Sequence, residues 1–353
     1  MSKSTDKKRI SLVVPCFNES EAIDPFFRSI LPILEGMTSI AFEIVFVNDG
    51  SHDDTLERLL AYRRRDARIR VIDLTRNFGK EAALTAGISE ATGDAVIPID
   101  VDLQDPPELM VRMVTLWQEG ADVVLAKRAN RACDPYLKRV TAGMYYRVHN
   151  WLSDVKLPEN VGDYRLMDRR VVNALKRLPE RRRFMKGLFA WVGYRTAVIE
   201  YERLPRSAGQ SKFSGWRLWN FALEGITSFS TWPLRSWTYA GLSIALIAFL
   251  YGSFIIVRTF ILGIDVPGYA SLLSVLLFMG GIQLIGIGVV GEYVGRIYDE
   301  SKGRPVYLVR HRYQGSGKVS QLPTQALPRA RQATTRLREH RSHTVAARHW
   351  GTH

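Results

Sequence analysis

Residues 95–107 read A-V-I-P-I-D-V-D-L-Q-D-P-P. The apolar run Ala95–Ile99 stops abruptly on Asp100 and Asp102, followed by Gln104, Asp105 and a proline pair. A short, wholly apolar run bounded by turn residues is the pattern of a strand buried on both faces. The pattern recurs. Ile10–Val14 ends at Pro15, Phe42–Val47 at Asn48-Asp49-Gly50-Ser51, and Arg70–Leu74 just before R-N-F-G-K-E at 76–81; Val123–Ala126 is a fifth run. Helical stretches lie between them. Glu21–Leu34 carries Ile23, Phe26, Phe27, Ile30 and Leu34 on one side; Asp54–Arg65, Glu81–Ala91 and Pro107–Gln118 follow. Strands alternating with helices of this length predict an α/β fold, a mostly parallel sheet covered on both faces.

Ligands of such sheets bind beyond the carboxyl ends of the strands, and there the polar residues gather. Pro15-Cys16-Phe17-Asn18-Glu19 follows the first strand, Asn48–Ser51 the second, Arg76–Glu81 the third and Asp100–Asp105 the fourth. The pair Asp100 and Asp102 flanks one residue at a strand end. Mg²⁺ takes one or two carboxylates, waters and substrate phosphate oxygens, so this pair with Gln104 beside it suits a metal–diphosphate complex; a solvated turn is the plainer alternative. No G-x-G-x-x-G follows the first strand and no G-x-x-x-x-G-K-[ST] occurs, which disfavours a nucleotide-dependent dehydrogenase or a P-loop ATPase. There is no nucleophile elbow and no Cys/His zinc cluster. His149, in Tyr145–Trp151, reads as a packing residue.

The 353 residues carry 49 Lys+Arg against 35 Asp+Glu, a net charge of +14, with 46% hydrophobic and 24% charged residues. That excludes a wholly disordered chain, and two cysteines exclude a disulfide scaffold. From Arg310 to His353 there are nine Lys+Arg, five of the seven histidines and one acid, Glu339, with no apolar period. This predicts a disordered tail, either touching anionic lipid heads or simply solvated; no nucleic-acid fold motif accompanies the charge, so no nucleic-acid partner is expected.

Two uncharged runs, Ser236–Val257 and Val266–Gly291, each exceed the ~20 residues a helix needs to span a bilayer. With Pro267 and Gly268 in the short connection, they predict a helical hairpin. Arg235 precedes it and Arg296, Lys302, Arg304 and Arg310 follow, which puts both flanks in the cytoplasm. Trp232, Trp237 and Tyr239 suit an interfacial belt where the hairpin enters and Tyr293 and Tyr298 where it leaves, and Arg258 would snorkel to the far side. Met1–Arg9 is charged and leads into a strand pattern, so no signal peptide is expected, and Cys16 and Cys133 should be reduced thiols. The predicted organisation is a basic N-terminal tail, 1–9; an α/β domain, 10–211; a juxtamembrane amphipathic helix, 212–235; transmembrane helices at 236–262 and 267–292; and a cytosolic, basic, largely disordered tail, 293–353.

The motifs V-V-P-C-F-N-E-S at 13–20, V-N-D-G-S at 47–51, R-N-F-G-K-E at 76–81 and D-V-D-L-Q-D-P-P at 100–107 resemble those of the GT-A glycosyltransferases of family 2. G-D-Y-R-L-M-D-R at 162–169, D-V-P-G-Y-A-S at 265–271 and G-E-Y-V-G-R-I-Y at 291–298 are similar to the polyprenyl-phosphate branch, which includes bactoprenol glucosyltransferases and dolichyl-phosphate mannose synthases. The resemblance covers about residues 10–310. It implies a GT-A (Rossmann-like) domain, a nucleotide-sugar donor and a polyprenyl phosphate acceptor. Pro15, Phe17, Glu19 and Asp49 would hold the nucleoside: Phe17 the base, Glu19 the ribose, Asp49 the uracil edge. Lys80 and Asp100 would also serve the nucleotide sugar, and Asp100, Asp102 and Gln104 the Mg²⁺ or Mn²⁺. Val101 stands where Ala is more usual, its side chain expected to point away from the metal. R-S-A-G-Q-S-K-F at 206–213 keeps the Arg and Lys of the family's acceptor loop with altered residues between them.

The acceptor implied is a phosphate monoester with a second pKa of about 6, already anionic at neutral pH, so no strong base is required. Two anions must be held together, and Arg206 and Lys212 are the candidate clamps; an interfacial basic patch is the alternative. Asp163 would orient the sugar or accept a proton, or else pair structurally with Arg165 or Arg169. Attack opposite the leaving group would invert the anomeric centre. Trp216, Trp219, Leu223, Ile226 and Ser230 follow helical spacing, consistent with a helix lying at the interface or packed on the domain.

A processive polysaccharide synthase would need a Q-x-x-R-W motif and more spans. A non-catalytic membrane-anchored nucleotide-sugar sensor is disfavoured by the intact Asp100, Asp102 and Gln104 set. Glucose from a UDP-hexose, onto undecaprenyl phosphate, is the first expectation; N-acetylhexosamine, mannose or a modified arabinose are alternatives. The resemblance also implies a bacterial inner membrane location, with the catalytic domain and both termini cytoplasmic, and a homo-oligomer is compatible with it.

Overall fold

The computed structural model describes residues 7–129, 147, 150, 155, 156, 158, 160–181, 183–202, 230, 232–262, 268–314 and 318–320. The predicted alternation is present: β1 (Arg9–Cys16), α1 (Ser20–Gly36), β2 (Ala41–Asn48), α2 (Thr55–Arg65), β3 (Ile69–Leu74), α3 (Lys80–Glu90), β4 (Ala95–Pro98), α4 (Leu109–Gln118) and β5 (Val123–Arg128). There follow β6 (Val161–Asp168), α5 (Arg169–Arg177), α6 (Met185–Trp191), β7 (Thr196–Tyr201), α7 (Trp232–Leu262), α8 (Tyr269–Ser301), β8 (Val309–Gln314) and β9 (Lys318–Ser320).

One sheet runs β7-β5-β6-β4-β1-β2-β3-β8-β9. Its centre, β3-β2-β1-β4, is parallel, and β5 pairs in parallel with β7. The fifth strand does not continue the parallel centre: β6 inserts between β4 and β5, antiparallel to both. The parallel strands are buried on both faces, as their mostly apolar residues require, and Ser11, Glu43 and Asp73 within them are buried as well. On one face α1 lays Ile23, Phe26, Phe27 and Ile30 against Leu12, Ile44 and Phe46; Phe27 stacks on Tyr62 of α2 with ring centroids 3.9 Å apart. On the other face α3 presents Ala83, Ala86 and Gly87 to Val13 and Val47. A Cβ at Gly87 would collide with Val13, so this small-residue face lets the helix lie close on the strands.

Composition predicts disorder from Arg310 onward, and the structure corrects that start. Val309–Gln314 forms β8, antiparallel to the edge strand β3. Its arginines find partners: Arg312 binds Glu90 at 2.9 Å, and Arg310 donates to the Thr75 carbonyl at 2.6 Å. The polar composition hides the strand because its pairing groups are backbone and its charges are neutralised by residues far away in sequence. Just upstream, Arg181 donates through its backbone to Glu300 at 2.9 Å and through its side chain to the Arg304 carbonyl at 2.6 Å, tying the end of α8 to the sheet domain.

The late helices are longer than the apolar runs. α7 already begins at Trp232, within the stretch expected as the end of the 212–235 helix, and α8 continues past 292 to Ser301. Both are long and apolar enough to cross a membrane, with windows Ser236–Ile255 and Phe278–Ser301 almost wholly exposed. A 31-residue helix is about 46 Å long, well over the ~30 Å of a bilayer core. The two helices touch where Trp237 lies over Gly286; a Cβ there would strike the indole. Tyr293 donates to the Ser230 carbonyl at 2.7 Å.

Candidate active site

The loops at the carboxyl ends of β1, β2, β3 and β4 meet as the sheet topology demands. Pro15 closes β1, and Phe17 beyond it is exposed, its ring edge-on to His52 with centroids 6.4 Å apart. The backbone of Asn18 takes a left-handed conformation (φ 54°); its N–H donates to Ser51 Oγ at 3.0 Å, and the Glu19 N–H to Thr55 Oγ1 at 2.9 Å. These bonds lock the first loop onto the second. Phe17 and Glu19 lie at the rim of that junction.

Asp49 does something the motif alone does not reveal. It is buried, and its Oδ1 accepts the Phe78 N–H at 2.8 Å while Oδ2 accepts the Gly79 N–H at 2.9 Å. Burial raises its carboxyl pKa, although these two amides and Arg76 pull the other way. The carboxylate is thus a clamp between the second and third loops. Gly50 beside it has φ 65°, and a Cβ there would collide with the backbone of Arg76 and lie 2.6 Å from Asn77 N, so only glycine permits the crossing.

After β4, Asp102 Oδ1 accepts the Gln104 N–H at 3.2 Å, and Leu103 is left-handed (φ 52°). This tight turn buries Gln104, sends Val101 into the core and leaves Leu103 partly buried against it. Asp105 accepts a hydrogen bond from Tyr201, which fixes the loop from β7.

The centre of the site is made by strand register. β6 runs antiparallel to β4 with Val96 opposite Met167, and beyond the paired residues Asp100 and Asp163 reach the same lysine. Lys80, at the start of α3, bridges them. Its Nζ lies 2.7 Å from Asp100 Oδ2 and 3.1 Å from Asp163 Oδ2. Desolvation opposes the charge on Lys80, but Asp100 and then Asp163 hold its pKa well above that of an ordinary lysine. Burial would raise the Asp163 carboxyl; Lys80, then Lys186 and Arg165, overturn this and keep it below the usual carboxylate range. Asp163 Oδ1 is buried with no hydrogen-bond partner among the described residues. Arg165 sits with its guanidinium 4.1 Å from the Phe189 ring centroid, and burial lowers its pKa to about 10 despite the charge of Asp163.

Glu81, quoted in the sequence motif without a role, is part of this cluster. Its Oε2 accepts the Met185 N–H at 3.0 Å. Burial first, and then the charge of Asp163, push its pKa up to about 7. Only its place in the first turn of α3, facing β6 and α6, reveals it.

Among the described residues no three His, Cys, Asp or Glu side chains converge as a metal cage. Asp100 and Asp102 at one strand end nevertheless fit a cation whose shell is completed by water and substrate phosphate. Arg206 and Lys212, residues 212–229 of the helix predicted at 212–235, His149, Cys133 and the connection at 263–267 lie outside the described residues.

Residues 11–176 match the family profile described as Glycosyl transferase family 2, and residues 232–297 the one described as GtrB C-terminal hairpin. The chain is 57% identical over 304 residues to the bactoprenol glucosyl transferase of Shigella phage SfX, covering 86% of this chain and 99% of that protein. The chain belongs to glycosyltransferase family 2. It is 55% identical over 302 residues to a prophage bactoprenol glucosyl transferase homolog of Escherichia coli K12 (86% and 98% covered). It is also 53% identical over 300 residues to an uncharacterized glycosyltransferase of Synechocystis sp. (85% and 94% covered). This glycosyltransferase is therefore an enzyme with a GT-A-type α/β domain and a membrane-associated C-terminal hairpin.

Proposed function

We propose that this glycosyltransferase moves glucose from UDP-glucose onto the phosphate of undecaprenyl phosphate, or a similar polyprenyl phosphate, with inversion at the anomeric carbon. The observation that carries the reading is the identity to bactoprenol glucosyl transferases, which runs through both the α/β domain and the hairpin. The site geometry is consistent with it. The nucleoside would lie over the junction of the first two loops, against Pro15, Phe17 and Glu19, with Asp49 shaping that pocket by holding the third loop. The diphosphate would then extend toward Asp100 and Lys80.

Asp100 and Asp102, with Gln104 beside them, would hold Mg²⁺ or Mn²⁺. Such an ion acts as a Lewis acid that neutralises charge developing on the departing diphosphate. Asp163, kept ionised by Lys80, Lys186 and Arg165, would orient a sugar hydroxyl across from the donor. The acceptor phosphate is already anionic and attacks without a strong base. Arg206 and Lys212 would draw it in, Arg as a bidentate fork and Lys as a point charge.

The hairpin would cross the bacterial inner membrane twice, with the catalytic domain and both termini cytoplasmic, as the flanking positive charges favour. Acceptor lipid would then reach the site from the inner leaflet. The test is a panel of radiolabelled UDP- and GDP-sugars with undecaprenyl phosphate and Mn²⁺, read as label in the organic phase. UDP-glucose should give the dominant signal. Label from another sugar nucleotide alone would overturn the choice of sugar, and an α-linked product by proton NMR would overturn inversion.

A further inference from the structure

Among the described residues Lys80 is the cation paired with Asp100, yet Asp100 is also a residue the proposed function needs for a divalent ion. The two demands conflict. A dication on Asp100 would sit within a few ångströms of the ammonium, and like charges that close repel strongly even where water screens them. The structure supplies a way out. Lys80 has a second carboxylate, Asp163, at 3.1 Å, less exposed than Asp100 (18% against 37%) and holding one buried oxygen with no other partner among the described residues. Lys80 itself sits in the first turn of α3, directly after Gly79 (φ 97°). Its side chain is about half exposed as a whole, with the ammonium held between the two carboxylates.

We propose that Lys80 is a resident counter-ion that holds Asp100 before the donor arrives, yields it to the donor's metal, and turns toward the diphosphate while still anchored on Asp163. This rests on the metal reading above and adds an order of events to it. Before the donor binds, the site is kept compact, because without Lys80 the carboxylates of Asp100 and Asp163 would lose the cation they share. The metal has to displace a lysine, so free metal binds weakly. Metal arriving with a nucleoside diphosphate binds better, because the diphosphate gives the displaced ammonium a new anionic partner. Donor and metal therefore enter together. No bond is made or broken in this handover, and Lys80 stays protonated throughout.

Two measurements on the full-length, detergent-solubilised enzyme test it. Free Mn²⁺ is followed by its electron paramagnetic resonance signal, without nucleotide, for wild type and Lys80→Met. The variant should bind Mn²⁺ roughly two- to fivefold more tightly, the worth of a partly exposed ion pair removed from competition. A structure of the wild-type enzyme with Mn²⁺ and UDP provides the second readout and does not depend on the variant folding. In it, Lys80 Nζ should lie beyond ion-pair distance (about 4 Å) from Asp100 and within it of Asp163. An unchanged or weaker Mn²⁺ affinity in Lys80→Met, or Lys80 still on Asp100 in the Mn²⁺–UDP structure, overturns the handover and leaves the metal reading standing. Absence of Mn²⁺ binding to the wild type, with and without UDP, overturns both.

Discussion

Replacing Asp49 by asparagine exchanges one carboxylate oxygen for an amide nitrogen where both oxygens are in use. Oδ1 takes the Phe78 N–H and Oδ2 the Gly79 N–H, and the side chain is buried. Whichever way the amide turns, one backbone N–H loses its acceptor and meets a donor. A hydrogen bond to a charged acceptor is worth about 1.5–3 kcal/mol, and a buried donor left unsatisfied costs about 1–3 kcal/mol. These describe the same lost bond from two sides, so they are not summed. Burial already penalises the ionised Asp49, which trims the loss, and the net expectation is about 1.5–3 kcal/mol. In a domain of roughly 200 residues that lowers the melting temperature by roughly 3–12 °C. The assay is a tryptophan-fluorescence melt of the detergent-solubilised Asp49→Asn protein, paired with calorimetric titration of UDP. The clamp predicts that melting temperature and UDP affinity fall together, because the loop freed by the substitution would also wall the proposed nucleoside pocket. A variant that melts with wild type but no longer binds UDP would refute this reasoning and return Asp49 to direct contact with the uracil.

The same geometry sets the outcome for three further variants. Glu81 carries a pKa raised to about 7 from an ordinary value of 4.5. The folded state thus keeps a proton that the unfolded chain releases, and this stabilisation is complete below about pH 4.5 and gone above about pH 7. Glu81→Gln keeps an acceptor for the Met185 N–H and cannot ionise, so its melting temperature should match wild type in acid and exceed it at pH 8, by at most about 3 kcal/mol in stability; a difference independent of pH would contradict the burial argument. Asp102→Asn keeps the oxygen that accepts the Gln104 N–H, so the fold should melt normally while kcat drops by about 10²-fold or more; full turnover would remove Asp102 from the chemistry. Arg312→Glu sets a carboxylate against Glu90, where the wild-type pair is 2.9 Å apart and about four-fifths covered. The loss of about 1–3 kcal/mol should appear as faster hydrogen exchange in β3 and β8, and unaltered protection there would mean the strand is held by its backbone alone.

The parallel centre of the sheet was legible because each of its strands is a short, mostly apolar run and each loop a polar one, and that contrast is local. Ile10–Val14 and Ala95–Ile99 announce burial on both faces without reference to any partner. The small face of α3 was less legible: Ala83, Ala86 and Gly87 carry no amphipathic signal, and their meaning appears only when Val13 fills the space a Cβ would take. β8 was misread for the opposite reason. V-R-H-R-Y-Q looks like part of a solvated basic tail until Glu90 and the exposed edge of β3 are known to lie beside it.

By itself the chain's order of residues determined the strand–helix alternation, the placement of four polar loops at one sheet edge, and two apolar helices long enough for a bilayer. All three are written in short-range periodicity, which hydrophobic burial reads directly. Tertiary structure alone decided that Asp163 and Asp100 reach the same lysine, Lys80, that Glu81 is driven toward neutral pH, and that Asp49 clamps two loops. Each of these depends on strand register and on desolvation by distant neighbours, and neither quantity exists until the chain has closed on itself.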